Sequence, residues 1–317
     1  MYFPYLYARR SELLALRAMV TDHRPLEDLV PVIEPAVSNT ADVKKVLEEY
    51  GKAGHRLAVV LNPDKHDLGH SGAFKAWYKD VIPLVQAHAS ILPTFRCVPG
   101  ASRADAQAFI AEFADREVVL AYESSPFSDA DIAALASVKT VRFHLVLNGK
   151  MSVHQQGLLP NGKRVGVQDC FGKLTRNADY GSPEFFTDRN NTFKKAGWAG
   201  FGDYCCIGSD LAIGGGPAAA VAIHAAYKRK DGDIWVEHFV SDDVELAIGN
   251  TASKFLQAAR KLVKAANARP KEFGKNFALD EFEAHVKTSH SPGLGKSKEL
   301  QTAHHICLML DVLSGAI

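Results

Sequence analysis

The sequence predicts an α/β protein built on a (β/α)8 TIM-like barrel, with a C-terminal β-hairpin and a helical elaboration. Three observations lead there. Short apolar, β-branched or aromatic runs alternate with amphipathic stretches over the first two thirds of the chain, as repeated βα units do. Eight such runs occur, the number that closes a parallel barrel. Beyond the eighth the pattern changes to two long runs around a turn signal, then helices.

Strands are expected near Tyr2–Tyr7, Val30–Glu34, Leu57–Leu61, Ser90–Phe95, Glu117–Tyr122, Val141–Leu147, Arg164–Gln168 and Gly200–Ile207. Helices are expected between them near Ser11–Val20, Ala41–Tyr50, Ala73–Ala87, Arg103–Phe113, Ser128–Leu135 and Pro183–Ala196, with a short, helix-poor connection around Ser152–Gly162. Ser11 stands where a cap belongs, Ser128 with Asp131 resembles a capping box, and Ser182–Pro183 reads as a cap followed by an N1 proline. Ala218–Tyr227 and Ile234–Val240 read as two strands, with Asp231–Gly232 as the hairpin turn. Helices near Thr251–Ala266, Leu279–Val286 and Lys296–Leu313 complete the chain. Residues 1–216 are therefore expected to form the barrel core, and residues 217–317 a hairpin and helices packed on it as one compact unit.

At 317 residues, 47% hydrophobic and 23% charged, the composition is that of an ordinary globular protein. A net charge of +1 provides no global field for nucleic acid or an anionic membrane. The lysine runs near Lys194–Lys195, Lys228–Lys230 and Lys254–Lys275 read as solvated faces. Five cysteines without CxxC spacing read as free thiols of a reducing compartment. No signal-peptide pattern opens the chain and no apolar run reaches about 18 residues, so a cytoplasmic location is expected.

In such a barrel the C-terminal strand ends carry the chemistry. The polar residues there are Arg9, Arg10, Glu34, Asn62, Arg96, Glu123, Asn148 and Asp169, with Asp203 inside the eighth run. Glu34 in VIEP and Glu123 in AYES directly follow hydrophobic runs, where an acid is expensive unless paired or solvated. Glu34, Glu123 and Asp169 are the candidate acid–base groups. His238 in VEHFVSDD joins them, with Asp242 to orient it and His224 on the partner strand. Arg9, Arg96 and Arg176 offer forks for phosphate or carboxylate, and Gly214 and Gly215 stand where many barrels hold phosphate. Asn62 and Asp203 complete the candidate ligand set. Structural salt bridges are the plainer reading of these charges. An acidic rim also suits a divalent cation, yet no HxH, HExxH or DxD spacing specifies one, so the residues name no metal or other cofactor.

The motifs PYLYARRSELLAL, PVIEP, VLNP, NADYGSPEFFTD, GFGDYCCIG, GGGPAAAVAIH and HFVSDD occur in this order along nearly the whole chain. As a set they resemble the Beta-protein family of phage satellites and bacterial genomes, and within it a bacterial branch. The chain has Tyr7–Ala8 where that branch has an Arg-Gly-like pair. The resemblance implies a component of a phage-defence or toxin-neutralisation module. Its partner would be a protein encoded by a neighbouring gene and resembling a restriction-endonuclease-like nuclease. It implies no catalytic residues. Two readings follow: a partner-binding protein with a ligand-binding barrel mouth, or a hydrolase or lyase acting on a phosphorylated or carboxylated small molecule. Direct nucleic-acid binding is the least supported.

Overall fold

The computed structural model describes residues 1–124, 127–211 and 218–317. The chain divides into two compact units: Met1–Asp169 with Thr192–Tyr204, and Cys170–Asn191 with Cys205–Ile317. The boundary expected at residue 216 is thus replaced by a division in which residues 170–191 and the chain from Cys205 onward belong to the second unit.

The first unit is an eight-stranded parallel barrel. Its strands are β1 (Tyr5–Leu6), β2 (Val32–Ile33), β3 (Leu57–Val60), β4 (Ile91–Cys97), β5 (Val118–Tyr122), β6 (Val141–Leu147), β7 (Arg164–Gln168) and β9 (Gly200–Asp203), in that order around the sheet; β8 (Glu184–Thr187) belongs to the second unit. Runs such as LAVV and VVLAY are buried throughout, as strands covered on both faces must be. The alternating helices are α1 (Arg10–Thr21), α2 (Ala41–Ala53), α3 (Ser71–Ala87), α4 (Arg103–Glu112), α5 (Asp129–Ala136) and α6 (Val153–Leu158). Ser128 and Asp131 form the expected capping box. α6, a six-residue helix, lies in the connection expected to be short and helix-poor, where Ser152 accepts a bond from the Gln155 N–H and starts it. β1 is shorter than expected because Pro4 supplies only a carbonyl to the ladder, accepting from the Val32 N–H at 2.8 Å.

The barrel closes where Phe201 meets the N-terminus. The Phe3 N–H donates to the Phe201 carbonyl at 2.9 Å, and the Phe201 N–H to the Met1 carbonyl at 3.2 Å. Gly202 makes this approach possible: a Cβ there would lie 2.0 Å from the Phe3 carbonyl oxygen.

Two further sequence expectations are corrected. The eighth barrel strand ends at Asp203 instead of Ile207, because Cys205 turns to φ +50° and a 3-10 turn, Cys205–Ile207, follows. Pro183–Ala196 is not one helix: β8 occupies Glu184–Thr187, and α7 (Arg189–Thr192) is a single turn. Phe185, Phe186 and Thr187 favour extended backbone, and β8 gains a partner in β11 (Ile234–Val240), where Phe185 stands opposite Trp235.

The second unit holds the antiparallel sheet β10–β11–β8, with β10 spanning Ala222–Lys228. Its helices are α8 (Thr251–Ala268), α9 (Pro270–Phe273), α10 (Phe277–Lys287) and α11 (Leu294–Ser314). The buried α11 covers the free edge of β10. The Gln301 side chain accepts the His224 N–H at 2.8 Å, and His304 Nε2 lies 2.9 Å from the Ala226 carbonyl oxygen. Edge groups that would otherwise be open to another strand are thereby satisfied. Among the described residues no helix is long and apolar enough to cross a membrane.

Candidate active site at the C-terminal face of the barrel

Two of the acids are fixed by the backbone ladder of the strand ends. The Glu34 N–H donates to the Leu6 carbonyl at 2.8 Å, and the Glu123 N–H to the Cys97 carbonyl at 3.1 Å. Asn62 uses its amide as a further rung, donating to the Arg96 carbonyl at 2.8 Å and accepting the Arg96 N–H at 2.7 Å. The parallel ladder therefore fixes where these side chains start.

They converge on Arg96. Its guanidinium, 1% exposed, pairs with the equally buried Glu34 and with Asp64. Its Nε lies 3.2 Å from Glu123 Oε2. Lys65 Nζ approaches Glu34 at 3.2 Å and Glu123 at 3.6 Å, and sits 5.9 Å from the centre of the Tyr7 ring. The Tyr5 hydroxyl donates to Glu34 at 2.7 Å, and Tyr5, Tyr7 and Tyr204 form one aromatic group beside it.

The electrostatics follow from burial. Burial raises the Glu34 carboxyl above its ordinary value, outweighing Arg96, Lys65 and the Tyr5 bond, which pull it down. Burial alone would lower Arg96, but Glu34, Tyr5, Glu123 and Asp64 outweigh it and hold the guanidinium charged. Burial, then the Glu34 and Glu123 charges, keeps the Tyr7 hydroxyl protonated far above neutrality. The accessible acids are Glu123, whose side chain is 39% exposed, and Asp64, at 57%. Glu123 sits between a guanidinium and an ammonium, with part of its side chain open to solvent.

Of the residues singled out by sequence, Glu34, Asn62, Arg96 and Glu123 come together here. Asp169 is tied to the same rim through Asn148, whose side-chain oxygen accepts its N–H at 2.7 Å, and its charge acts on Tyr204. Arg9 precedes α1 and pairs with buried Glu12, so its fork is engaged within its own turn. Asp203 is buried and accepts the Tyr2 hydroxyl at 2.7 Å. Arg176 belongs to the second unit, exposed and 3.9 Å from Asp179. Gly214 and Gly215 lie outside the described residues. Arg96 is not an open fork for an anion, because carboxylates surround its guanidinium. Sequence reasoning missed Asp64 and Lys65, which follow Asn62-Pro63 in the same loop, and the tyrosines. The signal was a charged pair just beyond the residue at which the strand-end reading stopped.

His238 lies in the second unit. The acid beside it is Glu184, 3.5 Å from Nε2, whereas Asp242 pairs with Lys261 at 2.7 Å. His238 Nδ1 stands 2.8 Å from His224 Nδ1. Burial lowers His238 to about 4; burial, with His238 alongside, lowers His224 to about 3. No family model matches this chain, and neither a curated protein nor a solved structure matches it.

Proposed function

We propose that the barrel is a hydrolase or lyase acting on a small polar molecule at its C-terminal face, with Glu123 as the proton-transferring group. The observation that carries this reading is the convergence of Glu34, Asp64 and Glu123 on one buried guanidinium beside Lys65. Glu123 is the acid that is both held and accessible. Lys65 stabilises negative charge as it develops, and Tyr7 keeps its proton as a donor. Glu34 is a positioning residue: it anchors Arg96, which in turn anchors Glu123. With three carboxylates around two cations, an uncharged or cationic substrate suits the mouth better than a phosphorylated or carboxylated one. Purified wild type and Glu123→Gln are incubated with fractionated polar metabolites and followed by mass spectrometry. The expected result is a compound consumed by wild type and spared by the variant, at equal urea midpoints. Identical traces for both proteins would sink the reading.

A second reading is favoured by the motif resemblance to the Beta-protein family and by exposed Leu246 and Ile248 near α8. In it, the chain works in the cytoplasm as one half of a phage-defence or toxin-neutralisation module and docks a nuclease-like protein encoded beside it. Co-purification of the neighbouring gene product with wild type and Glu123→Gln, but not with Leu246→Asp/Ile248→Asp, is the result expected; equal capture by all three refutes this docking surface.

A further inference from the structure

We propose that His224 and His238 form a site for a divalent first-row transition metal of the copper or nickel type, with Glu184 orienting His238 from behind. The two histidines stand directly opposite each other in the β10–β11 ladder, so their imidazoles rise from the same face of the sheet. Their Nδ1 atoms are 2.8 Å apart. At a metal–nitrogen distance of about 2.0 Å, a right-angled pair of ligands separates its nitrogens by about 2.8 Å, whereas a tetrahedral pair needs about 3.3 Å. The spacing therefore fits tetragonal or octahedral coordination better than tetrahedral zinc.

The far side of His238 is arranged as a metal-ligating histidine requires. Glu184 Oε1 is a buried atom without a hydrogen-bond partner among the described residues, 3.5 Å from His238 Nε2. A carboxylate there favours the proton on Nε2 and leaves the Nδ1 lone pair facing His224. Gly172 provides the seat: a Cβ at that position would fall 2.7 Å from Glu184 Oε2. Tyr180 packs on both imidazoles, with ring centres 4.5 and 4.7 Å away, and Phe171 lies 4.9 Å from His224. Two protein nitrogens leave the remaining coordination positions to water or to a bound small molecule.

Calorimetric titration of the full chain with Cu2+, Ni2+ and Zn2+ chlorides tests the site. The expected result is one equivalent of Cu2+ or Ni2+ per chain, bound more tightly than Zn2+ relative to a free imidazole reference. His224→Ala and His238→Ala abolish it, Glu184→Gln weakens it by about tenfold or more, and His154→Ala, at an exposed histidine, leaves it unchanged. Because the buried substitutions can also impair folding, pulsed electron paramagnetic resonance of Cu2+-loaded wild type supplies an independent readout, with two coordinated imidazoles expected. Absence of stoichiometric binding, binding lost equally in His154→Ala, or a signal from fewer than two imidazoles overturns the proposal and leaves the pair as a shared-proton contact.

Discussion

Replacing Arg96 with methionine removes the charge around which the barrel mouth is organised while keeping comparable bulk. Among the described residues, Glu34 then retains Lys65, at 3.2 Å, and the Tyr5 hydroxyl, at 2.7 Å. Deleting one partner of a buried ion pair costs about 3–5 kcal/mol, because the surviving charge stays desolvated without compensation. With Lys65 still present, the lower end, about 3 kcal/mol, is expected near neutral pH. The loss depends on pH in a defined direction. Burial already places the Glu34 carboxyl above its ordinary value of 4.5, and losing Arg96 raises it further. A carboxyl raised in the folded state favours folding below its unfolded value, and that advantage disappears as pH rises through the folded value. The deficit of Arg96→Met relative to wild type is therefore smaller at mildly acidic pH than at neutral pH, changing by up to about 1.4 kcal/mol per pH unit where the raised carboxyl takes up its proton. Adding Glu34→Gln removes the stranded charge and is expected to recover about 2 kcal/mol. Urea unfolding followed by circular dichroism at both pH values measures all three proteins. A single-variant loss under about 1 kcal/mol, or a double variant less stable than Arg96→Met, refutes the account.

Two further perturbations probe the frame that carries the site. Burial pushes the His144 imidazole down to about 3, with Tyr122 stacked on it and its hydroxyl 3.0 Å from Nδ1. An unfolded histidine binds its proton near pH 6.5, so this group's stabilisation is complete above about 6.5 and is lost below it at about 1.4 kcal/mol per pH unit. His144→Phe should flatten the acid limb of the stability curve by that slope, and parallel limbs for both proteins would contradict it. Gly202→Ala drives a Cβ to 2.0 Å from the Phe3 carbonyl oxygen at the closing seam, so a loss of about 3 kcal/mol or more is expected in thermal unfolding; near-native stability would show that the seam yields.

Much of the fold was legible because it is written in local runs. The expected strands Val141–Leu147, Arg164–Gln168 and Ile234–Val240 coincide with β6, β7 and β11, each a β-branched or aromatic run bounded by turn or charged residues. What failed was non-local. Ser182–Pro183 opens a strand as readily as a helix, and the choice fell to Trp235, some fifty residues away, which stands opposite Phe185. The hairpin register was within reach, since a turn centred on Asp231 pairs residue 224 with 238. The acid that joins them, Glu184, was hidden inside the misread helix.

The same limit explains the site. An acid following an apolar run must be paired or solvated, and that rule alone singled out Glu34 and Glu123. Their partner is another matter. A guanidinium has five N–H donors and serves a ligand only when some remain available. Its occupancy depends on side chains from β2, β3 and β5, which meet only because the barrel turns their ends to one rim. Sequence supplied Arg96 as a fork, whereas folding closes that fork on Glu34, Asp64 and Glu123. The arginine thereby changes from an anion receptor into the post on which the accessible acid is mounted, so that under the activity proposed above substrate selection would fall to Glu123, Asp64 and Lys65.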